Sequence, residues 1–443
     1  MNPCRKIPLR YLLRYLRQLL NGGDDPCYNG NSQYDYKQHQ QSQNNATKYC
    51  KNIDITNRDL ISNATYRCLA DKYTRNDTLE LLSGISGLRK CQIYNIHYRY
   101  GRKALKVFIE FLIDTIRSEL ISKSISFPSI WYKEKIDPSS HKIRNIGIQH
   151  VKQQIYDYIA IEGLKPLFCR IGVHQYASIK NRGCLKGSRM IQRWMRNKSL
   201  KYFAKLDIRK CYPSIPQNQL IEFLEKHIKN DMLMWLIKEL VNSFEQGLSI
   251  GSFLSQYLCN LYLSQIYHFI GHLHKVRKHK DGTKSSIRLV YHRLFYMDDI
   301  LMIGTSAKDM HKAVKEVIKY CKSLGLKIKE SWFVKQMPFS NKKCDGAFID
   351  MMGFRIYRTH ITIRRRVFKR IRRIAIRIWK RIKTHQKVLE AHARKIISYW
   401  GLLKNSNSTK VIQKYHIKDI MKICKKVVRN YDKISLYGKA AFC

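Results

Sequence analysis

The chain has 443 residues, 44% of them apolar, enough for two or three domains and a sizeable core, which excludes wholesale disorder. Its 84 Lys and Arg against 32 Asp and Glu leave a formal net charge of +52, a surplus that calls for a polyanion partner because self-repulsion otherwise penalises the compact state. The 13 Cys include no CxxC pair and no run of 18 apolar residues exists, which argues against a zinc ribbon, a secreted disulfide framework and a membrane span.

The surplus of positive charge runs through most of the chain, so nucleic acid is a better-matched partner than a membrane surface, which needs only one basic patch. The start, MNPCRKIPLRYLLRYLRQLL, is amphipathic, rich in Arg and free of acids. It reads equally as an organellar presequence or as a helix packing its Leu stripe on the body. Residues 21–50 are rich in Asn, Gln and Gly and read as a linker. Helical patterning follows in TLELLSGISG and KALKVFIEFLIDTIRSELI, where Leu105, Phe108, Ile109, Leu112 and Ile116 recur at helical spacing and are expected in the core. SFPSIWYKEKIDPSSHKIRNIGI (126–148) reads as strand, turn, strand, and HVKQQIYDYIAIEGLKPLF as a helix. A strand is expected in KYFAKLDIRKCY from Lys201, then helical material, then a strand at RLVYHRLFYMDDILMIG (288–304), then mostly basic helices. Strands and helices without strict alternation indicate an α+β fold.

The run at 288–304 sets Asp298 and Asp299 among Leu294, Phe295, Tyr296, Ile300, Leu301, Met302 and Ile303, where bare carboxylates are costly unless something positive compensates them. A second acid, Asp207, ends the strand-like YFAKLD, and the two acidic segments could lie side by side in one sheet. Two-metal phosphoryl transfer needs such a group of carboxylates, because hard cations roughly 3.5–4 Å apart are bound by oxygen rather than by His or Cys.

Tyr296-Met297-Asp298-Asp299 resembles the YxDD motif of reverse transcriptases, and LDIRKCY resembles their first palm motif. The resemblance implies a right-hand polymerase fold: fingers, a palm with a ferredoxin-like antiparallel sheet, and a helical basic thumb. It implies that Asp207, Asp298 and Asp299 are catalytic and bind two Mg²⁺ ions, with Mn²⁺ as a substitute and Asp299 the weaker ligand. Tyr212 holds the position of the aromatic steric gate that excludes ribonucleotides. HKIRNIGI (141–148) resembles the fingers strand that holds the incoming triphosphate. Lys142 and Arg144 alternate there and share one strand face. QYASIKNRGCLKG (175–187) resembles the next fingers motif, which makes Arg182 a candidate for nucleotide or template contact. LGLKIKESWFVK (324–335) resembles the motif whose Lys protonates pyrophosphate; Lys327, Lys329 and Lys335 all compete for that role. Met297 takes no chemical role beyond packing near the primer end.

The segment EQGLSIGSFLSQYLCNLYL (245–263) carries Ile250-Gly251-Ser252-Phe253-Leu254-Ser255-Gln256, where most of these families read QGxxxSP. The form resembles reverse transcriptases of diversity-generating retroelements, as do DMMGFRIYRTHITIRRR (350–366) and ISYWGLLKNSNS (397–408). It implies that Ile250, Gly251, Ser255 and Gln256 line the nucleotide site. It also implies cDNA copied from a template-repeat RNA with errors opposite adenine, dNTPs and a primer duplex as substrates, and a small basic accessory variability protein as partner. The location implied is the cytoplasm of a bacterial or phage-infected cell, with organellar targeting left open by the first 20 residues. About 85 residues follow the palm region, room for a thumb but not for a maturase region plus nuclease. Group II intron-type and abortive-infection reverse transcriptases stay open as alternatives, and so does a non-catalytic basic RNA-binding scaffold.

In RRRVFKRIRRIAIRIWKRIK, Ile371, Ile374, Ile378 and Ile382 mark one helical face. Arg365, Arg366, Lys369, Arg372, Arg373 and Lys380 crowd the other, with no acid between Arg364 and Lys387. A solvated face would mix signs, so this one is expected to grip a duplex backbone. Tyr399 and Trp400 read as core. The layout expected from all of this is an N-terminal extension with polar linker at 1–77, fingers at 78–200, palm at 201–357 and thumb at 358–443.

Overall fold

The computed structural model describes residues 49–136, 143–337 and 348–441, with side chains as far as residue 432. The amphipathic start, most of the polar linker and Lys142 lie outside the described residues. The described chain mixes helices with antiparallel sheets, as the α+β expectation required. It divides into two compact units, one from residues up to 168 with 217–255, the other from 169–216 with 256 onward.

In the first unit, the helix Arg58–Leu69 starts where the Asn57 side chain accepts hydrogen bonds from the amides of Asp59 and Leu60, two donors the helix itself leaves unpaired. Leu105, Phe108, Ile109, Leu112 and Ile116 are fully buried, the last four on the helix Lys106–Ile121. At about 1.5–3 kcal/mol for each large apolar side chain removed from water, this stripe is the main reason that helix is stable. Strands β1 (Trp131–Ile136) and β2 (Ile143–Ile148), both expected as strands, pair antiparallel, with Trp131 opposite Ile148 and Lys135 opposite Arg144; the turn expected between them lies outside the described residues. The helix Val151–Leu164 follows as expected, buried on most of its surface.

The second unit is built on a four-stranded antiparallel sheet in the order β6-β7-β3-β8, from β3 (Tyr202–Asp207), β6 (His292–Tyr296), β7 (Asp299–Gly304) and β8 (Phe333–Gln336). Every residue of β7 from Ile300 to Gly304 is buried, which is why its sequence is an unbroken apolar run rather than an alternation. The helix Ala307–Ser323 packs Met310, Ala313, Val314 and Val317 against this sheet. Between the helix Phe253–Gly271 and β6 stands a separate two-stranded ribbon, β4 (His274–Lys278) with β5 (Lys284–Arg288), where the sequence had suggested helix. A small sheet of β9 (Ile349–Met351), β10 (Phe354–Ile356) and β11 (Ile361–Ile363) leads into the basic helix Arg365–Lys383. On that helix Ile371 and Ile378 are buried, together with Ala375, and Ile374 and Ile382 are partly covered. Tyr399 and Trp400 pack against the same core, as expected. Among the described residues, no helix is long and apolar enough to cross a membrane.

Candidate active site

Asp207 closes β3 and lies directly opposite Asp299, which opens β7; Tyr296, at the end of β6, faces Asp299 from the other side. The expected continuous strand through YMDD is therefore a hairpin. Met297 and Asp298 form its two-residue turn. Met297 takes φ +51°, a left-handed conformation that two-residue hairpins demand at their first turn position and that Gly usually supplies. The Asp298 carbonyl accepts the amide of Ile208 at 3.0 Å, which ties the turn to the end of β3 and brings the third carboxylate beside the other two.

The electrostatics follow from that geometry. Burial, then the neighbouring charges of Asp207 and Asp299, push the Asp298 carboxyl above its ordinary range, with Lys329 pulling weakly the other way. Lys329 forms an ion pair with Asp207 Oδ1, an oxygen shielded from water that receives no aligned hydrogen bond. Lys205 approaches Asp299 Oδ1 at 3.3 Å and also donates to the Asp350 carbonyl at 3.0 Å. Of the three competing lysines, then, Lys329 is the one at the carboxylates. Lys335 lies over the Phe333 ring, and Lys327 offers its carbonyl to the Arg209 amide.

Tyr212 belongs to a single helical turn, Cys211–Ser214, entered through Lys210 at φ +46°. Its hydroxyl points at the Met297 sulfur, 3.7 Å away, and burial with the nearby Asp298 charge holds its proton on. The expected gate and the YMDD turn are thus in contact. Asn260 Nδ2 reaches the same sulfur at 3.7 Å, and Cys211 Sγ lies 3.7 Å from Cys259 Sγ as a thiol pair. Arg182 donates through Nη1 to the carbonyls of Gly172 (2.6 Å) and Gln175 (2.9 Å), so it braces its own loop. All six basic residues expected to face nucleic acid, Arg365, Arg366, Lys369, Arg372, Arg373 and Lys380, are exposed. Arg365, Arg366 and Lys369 line an open pocket of about 450 Å³ with Arg355 of β10, a cation that sequence reasoning missed.

In the first unit, Arg144 is exposed on β2 and Ile250 is half-buried. Gly251 packs its bare Cα on the backbone of Gly147, whose carbonyl oxygen a Cβ at 251 would overlap; a Cβ at Gly147 would in turn strike Ser249. Ser255 is fully buried, and the amide of Ser255 donates to Ser252 Oγ at 3.1 Å. Gln256, in the second unit, is half-buried and its carbonyl accepts Asn260 Nδ2 at 2.9 Å. Sequence reasoning also missed Asp157, a fully buried acid on the helix Val151–Leu164. Its Oδ2 accepts the Ser252 hydroxyl at 2.8 Å, and burial pushes its carboxyl up to about 7.

Residues 133–336, just under half of the chain, match the family model of reverse transcriptases (RNA-dependent DNA polymerases). The chain carries a reverse transcriptase domain. It is accordingly an RNA-directed DNA polymerase, a nucleotidyltransferase that takes a template nucleic acid and dNTPs. No curated protein matches the chain. Enzymes of this family use divalent metal ions such as Mg²⁺. Three adjacent carboxylates, one pushed up by burial and by the other two, are the right donors for a hard cation. As arranged, two of them are turned to lysines, and among the described residues no three donors converge on one point.

Proposed function

We propose that this polymerase is the error-prone reverse transcriptase of a diversity-generating retroelement, copying a template-repeat RNA into cDNA with a small basic accessory protein as partner. The observation that carries the reaction centre is the register of β3 on β7: Asp207 opposite Asp299, with Asp298 in the turn between β6 and β7. In this reading Asp207, Asp298 and Asp299 would hold two Mg²⁺ ions, which when bound neutralise the triphosphate and the developing charge on the 3′-oxygen. The protein's own contribution is position. Tyr212, held against Met297, limits the space beside the sugar. Arg144, together with Lys142, offers guanidinium and ammonium to phosphate oxygens. Lys329 is the best placed of the three lysines to give a proton to the departing pyrophosphate. Arg182 serves the nucleotide indirectly, by bracing its loop. The layout is an extension at 1–77, fingers at 78–200, palm at 201–357 and thumb at 358–443, with the exposed cations of the helix Arg365–Lys383 along the duplex.

The retroelement assignment is supported by the IGSFLSQ segment. Ile250 replaces an amide that would hydrogen-bond the nucleotide with an apolar group that cannot, so one check on base-pair geometry is missing. Ser255 and Gln256 are assigned to the nucleotide site by the same motif, and Gly251 packs the segment on Gly147. Primer extension on an RNA template tests the reading: Ile250→Gln should lower misincorporation opposite template adenine several-fold, a difference of about 1 kcal/mol. Misincorporation equal to that of the wild type would remove Ile250 from the account of infidelity.

A further inference from the structure

The ribbon β4–β5 has no part in the carboxylate site, yet its charge is strongly one-sided. Residues 274–288 carry six Lys and Arg and a single acid, Asp281, whose side chain is used within the turn on the amide and hydroxyl of Thr283. Strand alternation sorts the rest. Lys275 points to one face and pairs with Asp309 at 2.7 Å, which anchors the ribbon to the start of the helix Ala307–Ser323. The other face presents His274, Val276 and Lys278 on β4 against Arg288, Ser286 and Lys284 on β5, and all six are exposed, Val276 at 67%.

The register sets Lys278 directly opposite Lys284. Like charges facing each other across a ladder destabilise it, and an isolated two-stranded ribbon is marginal to begin with. A ribbon charged only to discourage edge-to-edge aggregation needs one or two lysines and tolerates acids among them. Here the exposed face carries cations and no acid: Lys278 and Lys284 side by side at the turn end, and Arg288 four residues beyond Lys284, about 13 Å along the strand, so that phosphates along one backbone can each meet a cation. A polyanion turns this repulsion into an attraction, in a protein whose net charge is already +52.

We propose that the exposed face of β4–β5 is a second nucleic-acid contact of this polymerase, separate from the carboxylate site, that holds the phosphate backbone through Lys278, Lys284 and Arg288 without reading sequence. It rests on the polymerase domain and not on the retroelement reading. The test is the salt dependence of binding, measured on the full-length protein by anisotropy with single-stranded RNA, duplex RNA and duplex DNA. Replacing Lys278, Lys284 and Arg288 together by Ser should lower the slope of log K against log[salt] by about two to three and weaken binding on the order of 100-fold at about 0.1 M salt. The melting temperature should equal or slightly exceed the wild-type value as the Lys278–Lys284 repulsion is removed, and Lys278→Arg with Lys284→Arg and Arg288→Lys should bind as the wild type does. A drop confined to duplexes or to single strands identifies which form of the backbone the ribbon holds. An unchanged slope on all three nucleic acids overturns the proposal, and if the Ser variant then fails to bind poly-glutamate the ribbon is a site for an acidic protein instead.

Discussion

Asp157 is fully buried and the Asp207–Asp298–Asp299 group half-buried, in different units and with different compensation. Asp157 stands on the helix Val151–Leu164 and receives the Ser252 hydroxyl, neutral dipoles that leave burial the dominant influence on its proton. Its carboxyl accordingly titrates near neutrality, and a proton is the cheapest way to discharge it. In the cluster, two lysines pair with Asp207 and Asp299, and burial together with the charges of those two acids raises Asp298. A lone buried acid is therefore a structural device whose charge is dispensable. The cluster of three, with Lys205 and Lys329 beside it, is on our proposal the opposite kind of device, one whose charge serves to hold metal and phosphate.

The largest effect that would break this contrast is on the Asp157 side. A carboxyl raised in the folded state contributes stability that is fully present below its unfolded value, near 4, and is lost as pH rises through about 7. Amide exchange in the helix Val151–Leu164 should show stability falling by about 1.4 kcal/mol per pH unit across that window, and Asp157→Asn should flatten the slope. A wild type with no slope there would mean that Asp157 is ionised and cation-compensated after all. Next in size, Ser252→Ala removes a donor to Asp157 and should cost about 1–3 kcal/mol at pH 8, less at pH 5 where the acid carries its own proton. The smallest effect concerns the cluster: Lys329→Gln removes a charge that lowers Asp298, so the acid limb of the pH–rate profile for cDNA synthesis should move upward by a fraction of a pH unit. Movement downward would contradict the electrostatic account.

Much of the second unit was legible because its signals are local. The apolar run Ile300–Ile303, the acid at the end of YFAKLD and the one-sided helix Arg365–Lys383 each declare themselves in a short window, and the structure places them as read. The YMDD turn did not, because Met297 occupies a left-handed position without Gly or Asn to announce it. The β4–β5 ribbon did carry a turn signal, Asp281-Gly282 with Gly282 at φ +79°, but the charges around it masked the strand pattern. Gly251 and Asp157 were illegible for a different reason: their roles depend on Gly147 and Ser252, each about 100 residues away along the chain, and nothing in the local sequence points to either.

The central claim is that Asp298, in the turn beside Asp207 and Asp299, serves nucleotidyl transfer rather than stability. RNA-templated cDNA synthesis by Asp298→Asn in the presence of Mg²⁺ tests it most directly, with the melting temperature of the same preparation as the companion reading. The expected result is a loss of at least about 1,000-fold in rate, some 4 kcal/mol of transition-state stabilisation, with the melting temperature unchanged or slightly higher as a repelling charge is removed. Synthesis at the wild-type rate would contradict the assignment of the site.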